Sequence, residues 1–299
     1  MTKVAIITRT LNRSILLRRT AQDIMNQTFK DYIWVIVNDG EKETVNEIVS
    51  NFSEQKIIVI HNSKPIGMEA ASNMGIKRSN SEYVVIHDDD DTWDPKFLEK
   101  TTSYLDFRGP SDIQQGVVTH CGNIIEEIVG NDIKIKERKP FNTWVKEITL
   151  FRILAGNFLA PISFLFRRSV FKEIGYFDEN LPVLGDWDYF IRFLLKYEIG
   201  IIQEILAYYH QRKGIHSNTT ISDMKSHVFY NALLRNRYLR KDIESGKVGV
   251  GFYINMNKFL LPFLDDYPRF KIHLKNIESQ LQNIESCLQN NFKNDESVS

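Results

Sequence analysis

Four short apolar runs, separated by stretches of helical periodicity, fill the first third of the chain and constrain its fold more than any other feature. The runs are Val4–Ile7, Ile33–Val37, Ile57–Ile60 and Tyr83–Ile86. Between them, Ser14 to Asn26 carries Ile15, Leu16, Ile24 and Met25 at roughly helical spacing, and Glu43–Asn51 and Glu69–Lys77 read as two more helices. Strands this short and apolar throughout suit a parallel sheet covered on both faces, because neither face can tolerate water. Repeated βα units at this spacing predict an α/β fold with a Rossmann-like, mostly parallel sheet and helices on both faces. In such sheets ligands bind beyond the carboxyl ends of the strands. That rule selects Thr8-Arg9-Thr10, Asn38-Asp39-Gly40 and His87 to Asp91.

From about Pro110 the pattern loosens. Gly116–His120 and Asn123–Val129 are expected to form a hairpin, Ile162–Phe166 a strand, and Ser169–Ile174 and Tyr189–Tyr197 helices. Leu206–His210 is the last expected strand, leading into a polar loop, Arg212 to Thr220. The composition beyond Ser222 is helical, giving an expected division into a domain over 1–221 and a helical extension over 222–299. Leu274, Ile277, Leu281, Ile284 and Leu288 form a seam of little more than two heptads. Two readings of it stand side by side, an amphipathic helix packed on its own domain and a homo-oligomerisation helix.

At 299 residues the chain can bury one large core with an appendage. Its 38 basic and 38 acidic side chains lack the basic footprint of a nucleic-acid binder, so no nucleic-acid partner is expected. Cys121 and Cys287 lie far apart and form no ligand-spaced cluster, which suggests a reducing compartment. Met1 runs straight into a strand, leaving no room for a signal peptide, and the apolar stretch Leu150 to Phe166 is too short and polar for a membrane span. The expected location is cytoplasmic, with peripheral contact at the inner membrane face left open.

Asp88-Asp89-Asp90-Asp91 directly follows an apolar strand. Four adjacent carboxylates repel one another, and a hard divalent cation, which takes oxygen ligands, relieves that conflict. The plainer reading is a solvated acidic turn before the helix that starts near Pro95, with Asp94 as N-cap and proline at N1. That accounts for Asp94 and leaves the run unexplained. Asp88-x-Asp90-x-Thr92 also fits the signature of haloacid-dehalogenase-like phosphatases, with Asp88 as nucleophile. That signature normally ends the first strand of its domain, and here three βα units precede it.

At these residues the chain resembles the inverting glycosyltransferases of family 2, which have the GT-A fold. Thr8-Arg9-Thr10-Leu11-Asn12-Arg13 is similar to the family's opening loop, which lies against the nucleotide. Val35-Ile36-Val37-Asn38-Asp39-Gly40 resembles the strand ending in Asp-Asp-Gly; Asn38 replaces its first aspartate, leaving Asp39 as the base contact. Pro65-Ile66-Gly67 through Ala70-Ala71-Ser72-Asn73-Met74-Gly75 resembles the Gly-x-x-x-Ala-x-Asn-x-Gly segment, so the resemblance implies Asn73 near the nucleotide. Alignment on Trp93 and Pro95 puts Asp88 and Asp90 at the DxD positions, implying both as metal ligands with Asp90 foremost for direct contact, and Asp88 and Asp89 also against the donor. A one-place slip within four identical residues leaves a neighbouring register open.

Gly185-Asp186-Trp187-Asp188 resembles the family's Glu-Asp pair on a helix, with Gly185 in place of the first acid. Inverting transfer needs a carboxylate to take the acceptor's proton; the resemblance implies Asp186 for that role, with Asp188 second. The plainer reading of both is a carboxylate favoured by a helix N-terminus. Tyr208-Tyr209-His210-Gln211-Arg212 and Ile215-His216-Ser217-Asn218 resemble the loop that closes over the diphosphate. His216, ahead of His210, is the implied metal-ligating histidine, and Arg212 the implied phosphate contact. The resemblance spans roughly Thr2 to Thr220. It implies a nucleotide-diphosphate sugar donor, UDP-linked by preference, a Mn²⁺ or Mg²⁺ cofactor, and a glycan or lipid-linked acceptor. A non-catalytic nucleotide-sugar-binding or assembly module is the third reading, and it would account for Gly185.

Overall fold

The computed structural model describes residues 1–52, 56–212, 221–258, 260, 276–277 and 279–280. Its first half follows the βα alternation of the sequence. Strand β1 (Thr2–Thr10) leads to helix α1 (Ser14–Met25), β2 (Tyr32–Asn38) to α2 (Lys42–Ser50), β3 (Ile57–His61) to α3 (Met68–Arg78), and β4 (Ser81–Ile86) closes the series. Strands β3, β2, β1 and β4 lie side by side and parallel. Because successive side chains on a strand point to opposite faces, the apolar runs feed two cores at once. Val4, Ile6, Trp34, Ile36, Tyr83 and Val85 pack with α1, α2 and a later helix on one face. Ala5, Ile7, Val35, Val84 and Ile86 pack on the other. Both sets are buried, as the absence of polar alternation in these runs requires. On the second face α3 sits close: a Cβ on Gly75 would lie 2.7 Å from Cγ2 of Ile7.

Beyond β4 the sheet is mixed rather than parallel. Its elements are β5 (Thr92–Trp93), α4 (Phe97–Arg108), β6 (Gln114–Val129), β7 (Asp132–Pro140), α5 (Leu150–Ala155), β8 (Phe164–Arg167), α6 (Phe171–Ile174), α7 (Gly185–Leu194) and β9 (Glu198–Arg212). The order continues β4-β8-β6-β9-β5, with β8 antiparallel to β4 and β6, and β9 parallel to β6. The expected hairpin between Gly116–His120 and Asn123–Val129 is absent. Those residues form one strand, β6, and the hairpin joins β6 to β7 at Gly130, whose φ of 63° suits a turn. Gly122, which reads as a breaker, serves a close approach instead: a Cβ there would lie 2.9 Å from the ring of Tyr208. Asp94 does accept from the Lys96 amide at 2.9 Å, and the regular α4 helix begins one tight turn later at Phe97.

Helix α8 (Ile221–Ser245) and the helical residues 250–258 lie on the second face. Leu234, Tyr238 and Ile254 join its core, and the Arg235 guanidinium lies 5.0 Å from the centre of the Trp187 ring. The heptad seam falls, Ile277 excepted, outside the described residues. Among the described residues no helix is long and apolar enough to cross a membrane.

Candidate active site

Strands β2 and β3 lie to one side of β1 and β4 to the other, so the chain reverses its winding direction between β1 and β4. Ligand crevices of open α/β sheets form at such a point, beyond the carboxyl ends. Arg9 and Thr10 end β1 there, and the aspartate run leaves β4 there. The run is held from below by α1, whose Thr20 Oγ1 donates to the Asp89 carbonyl at 2.9 Å and whose Arg19 donates to the Asp90 carbonyl. Asp23, also on α1, accepts from the His87 ring at 3.1 Å and from the Trp93 amide at 2.8 Å, bracing both ends of the loop.

The carboxylates are matched by arginines from three elements. Arg9 of β1 pairs with Oδ1 of Asp88. Arg13 lies 3.2 Å from both Asp89 and Asp90. Arg212 of β9 reaches Asp90 Oδ2 at 2.5 Å and the buried Glu126 of β6 at 2.7 Å, and Arg19 reaches Glu126 at 2.7 Å. The repulsion that the bare sequence suggests is therefore answered in large part by the protein itself. It is not answered fully. Burial, with the Asp90 charge behind it, pushes Asp89 up to about 7, and burial with Asp90 and Asp88 raises Asp91 well above the carboxylate range. Burial would also raise Glu126, but the His210 hydrogen bond and the Arg19 charge outweigh it and hold the carboxyl down to about 2.

The arginine pairs leave carboxylate oxygens over. Oδ2 of Asp89 is buried without a hydrogen-bond partner. Arg9 takes only Oδ1 of Asp88, and Arg13 and Arg212 take only Oδ2 of Asp90. Among the described residues no three His, Cys, Asp or Glu side chains converge as a ready-made metal cage. Oxygen donors in excess of the arginine pairs, without a full cage, fit a hard cation that completes its coordination with substrate phosphates.

A cleft of about 410 Å³ opens in front of the run. It brings together Arg9, Thr10, Asp39, Asp88, Asp89, Asp90 and, from the second half of the chain, Asp186. Asp39 is steadied by the Asn62 side chain at 2.7 Å and the Ile66 amide at 3.0 Å. Asp186 opens α7, whose N-cap Leu184 has φ 64° and ψ 14°, a left-handed conformation costly for leucine. Its carboxylate accepts from the Asn157 side chain at 2.7 Å and from the Trp187 amide at 2.8 Å, and enclosure raises it above the usual range against these bonds and the Arg9 charge.

Other expected site residues lie elsewhere. Thr8 is fully buried and accepts from the Trp34 indole at 2.9 Å. Asn73 is not among the residues that line the cleft; it is buried and donates to the Phe177 carbonyl and to Glu179. Asp188 faces the C-terminal helix, pairing with Arg192 at 2.7 Å and accepting from Tyr238 at 2.9 Å. Arg212 is buried, pairing with both Asp90 and Glu126. His210 engages Glu126 and Thr92 through its two ring nitrogens, and His216 lies outside the described residues. Arg19, Glu126, Asn157 and Glu69 were not legible as site residues, because each is an isolated polar residue whose partner is distant in sequence.

Comparison with known proteins identifies the family and the fold. The family model described as glycosyl transferase family 2 matches residues 5–175. Over 221 residues the chain is 27% identical to the uncharacterized glycosyltransferase MJ1057 of Methanocaldococcus jannaschii, covering 72% of each chain. The structure of TarS 1-349 from S. aureus in complex with UDP-GlcNAc superposes with a TM-score of 0.58 at 18% identity, over 77% of this chain and 66% of that one. The mannosyltransferase PcManGT from Pyrobaculum calidifontis, in complex with GDP-Man and Mn²⁺, gives 0.58 at 13% identity, over 87% of this chain and 70% of that one. These two likenesses establish the GT-A architecture. The match of more than half the chain removes the phosphatase reading of Asp88, and the protein belongs to glycosyl transferase family 2.

Proposed function

We propose that the protein transfers a sugar from a nucleotide-diphosphate donor, UDP-linked by preference, to a hydroxyl of a glycan or lipid-linked acceptor, with inversion. The observation that carries this reading is the meeting, in one cleft, of the Arg9–Asp88 edge and the Asp186 carboxylate, brought from opposite halves of the chain. Asp186 takes the proton of the acceptor hydroxyl as its oxygen bonds to the anomeric carbon. The bond from that carbon to the diphosphate breaks on the opposite side, and its electron pair leaves with the phosphate oxygen. Asn157 and the Trp187 amide orient Asp186 for this step. Arg9 and Arg13 line the cleft and supply positive charge toward the diphosphate. Asp39 receives the base. A divalent cation, Mn²⁺ or Mg²⁺, held by the spare oxygens of Asp88, Asp89 and Asp90, adds neutralisation of the leaving group when bound.

Support for the donor class comes from the two structural neighbours, one in complex with UDP-GlcNAc and one with GDP-Man and Mn²⁺. The proposed site of action is the cytoplasmic side of a membrane that carries the acceptor, and self-association through the C-terminal heptad seam is part of the same proposal. A panel of UDP-, dTDP- and GDP-sugars assayed for nucleoside diphosphate release, with Mn²⁺ and with EDTA, tests the reading. Release from one donor class, lost with EDTA and in Asp186→Asn, is expected. Turnover undiminished by EDTA would overturn the metal assignment, and silence across the panel the transfer itself.

A further inference from the structure

Gly185 has an odd neighbour. A Cβ at this position would lie 2.4 Å from Oε1 and 2.5 Å from Cδ of Glu69, so the space that any side chain at 185 would enter holds the Glu69 carboxylate. Glu69 belongs to the first turn of α3. It is 6% exposed and lines the cleft beside Asp186. Such a side chain, nine-tenths buried, normally has its oxygens fully bonded. Among the described residues Glu69 accepts no hydrogen bond; its one ion-pair contact is Arg9, at a loose 3.9 Å. A carboxylate at this depth, held only by that loose contact and lining the cleft, has oxygens free to meet a bound molecule.

We infer that Glu69, whose carboxylate takes the space a side chain at 185 would fill, is the second carboxylate of the acceptor end, binding a hydroxyl of the incoming acceptor beside Asp186. The inference rests on the glycosyl-transfer reading and deepens it. Asp186 receives the proton of the attacking hydroxyl; Glu69 accepts or donates a hydrogen bond to the same hydroxyl or its ring neighbour and fixes its approach. Glu69 suits either polarity. Burial, with the Asp186 and Asp88 charges and against Arg9, pushes its carboxyl up to about 7. The loss of an acid at 185 is thereby made good from another element. The same contact explains why 185 is glycine, since its φ demands nothing special.

The test is a reciprocal exchange. Wild type, Glu69→Ala, Glu69→Gln, Gly185→Glu and the double variant Glu69→Ala/Gly185→Glu are compared with the donor that wild type turns over. The readouts are nucleoside diphosphate release with water and with a panel of p-nitrophenyl glycosides as acceptors. Glu69→Ala is expected to lose about tenfold or more in turnover, as misplaced reactants do, and Glu69→Gln, which keeps both an acceptor and a donor, to lose less. Stabilisation by UDP and Mn²⁺ is expected to stay within about 1 °C of wild type, since the donor end is intact. Gly185→Glu crowds Glu69 and is expected to be slow, and the double variant to recover to within about threefold of wild type. Wild-type turnover in both Glu69 variants, or a double variant no faster than Glu69→Ala, overturns the inference. Silence of the wild type on every donor overturns the transfer reading, and this inference with it, and is distinguishable from the first result.

Discussion

Glu126→Ala offers the sharpest test of how the aspartate run is held. The Glu126 side chain is fully buried on β6 and meets Arg19 at 2.7 Å, Arg212 at 2.7 Å and the His210 ring at 2.6 Å. Arg212 is itself 1% exposed, so it cannot turn to water when that carboxylate is lost. Removing one partner of a buried charge cluster costs about 3–5 kcal/mol, most of it the penalty of the charges left behind. For a folded unit of this size each kcal/mol lowers the melting temperature by roughly 2–4 °C, so a drop of about 6–20 °C is expected. Glu126→Gln keeps the shape and an acceptor oxygen, and should fall between the two. The assay is thermal unfolding followed by circular dichroism in cation-free buffer, with urea unfolding as a check on cooperativity. A Glu126→Ala protein melting within about 2 °C of wild type would refute the argument, because a buried charge cluster cannot lose its central carboxylate that cheaply.

Three further outcomes are expected. Asp186→Asn should cut turnover by a factor on the order of 10²–10⁴, with nucleotide affinity unchanged, as loss of a general base does; isothermal titration with UDP and Mn²⁺ beside the release assay checks both halves. Without divalent cation, stability should decline as pH rises through the window from about 4 to 7. There the unfolded chain has released the Asp89 proton that the folded protein, with Asp89 up at about 7, still keeps. The raised Asp91 adds in the same direction, whereas the depressed Glu126 costs stability only as pH falls below its unfolded value of 4.5 toward 2. A lower melting temperature at pH 8 than at pH 5.5, with the gap narrowed by Mn²⁺, is the measurement, and a gap of the opposite sign would sink it. Gly116→Ala should cost about 1–3 kcal/mol by overpacking, because the new Cβ would lie 2.5 Å from the Phe164 ring. Urea midpoints check this.

The first half of the molecule was legible because its signal is local. Val4–Ile7 and its three counterparts are apolar on both faces, and that pattern alone implies a parallel, doubly covered sheet and a crevice at its carboxyl edge. Past β4 the signal fails for a stated reason. Gly122 looks like a turn when only neighbours in sequence are visible, and its role, admitting the Tyr208 ring, belongs to strand pairing. The aspartate run was found, but its electrostatic meaning was half read. Arg9, Arg13, Arg19 and Arg212 converge on it from α1, the loop before it and two distant strands, and nothing in their spacing announces that. Asp186 emerged from a motif, whereas Asp188 carried the same motif and turned out to serve the C-terminal helix. Two residues along a helix lie on different faces, so one motif supplied a cleft residue and a packing residue.

That packing has a consequence for where the chain can be divided. The family match ends at residue 175, ahead of α7 and of the Asp186 it carries. Tyr238 bonds Asp188, Arg237 pairs with Asp178 at 2.5 Å, Arg235 reaches the Ala155 carbonyl at 3.0 Å, and Asn257 reaches the Phe151 carbonyl at 2.7 Å. A transplantable unit therefore extends at least to residue 258, and a chimaera joined at 221 would inherit the motifs without the buttress that aims them.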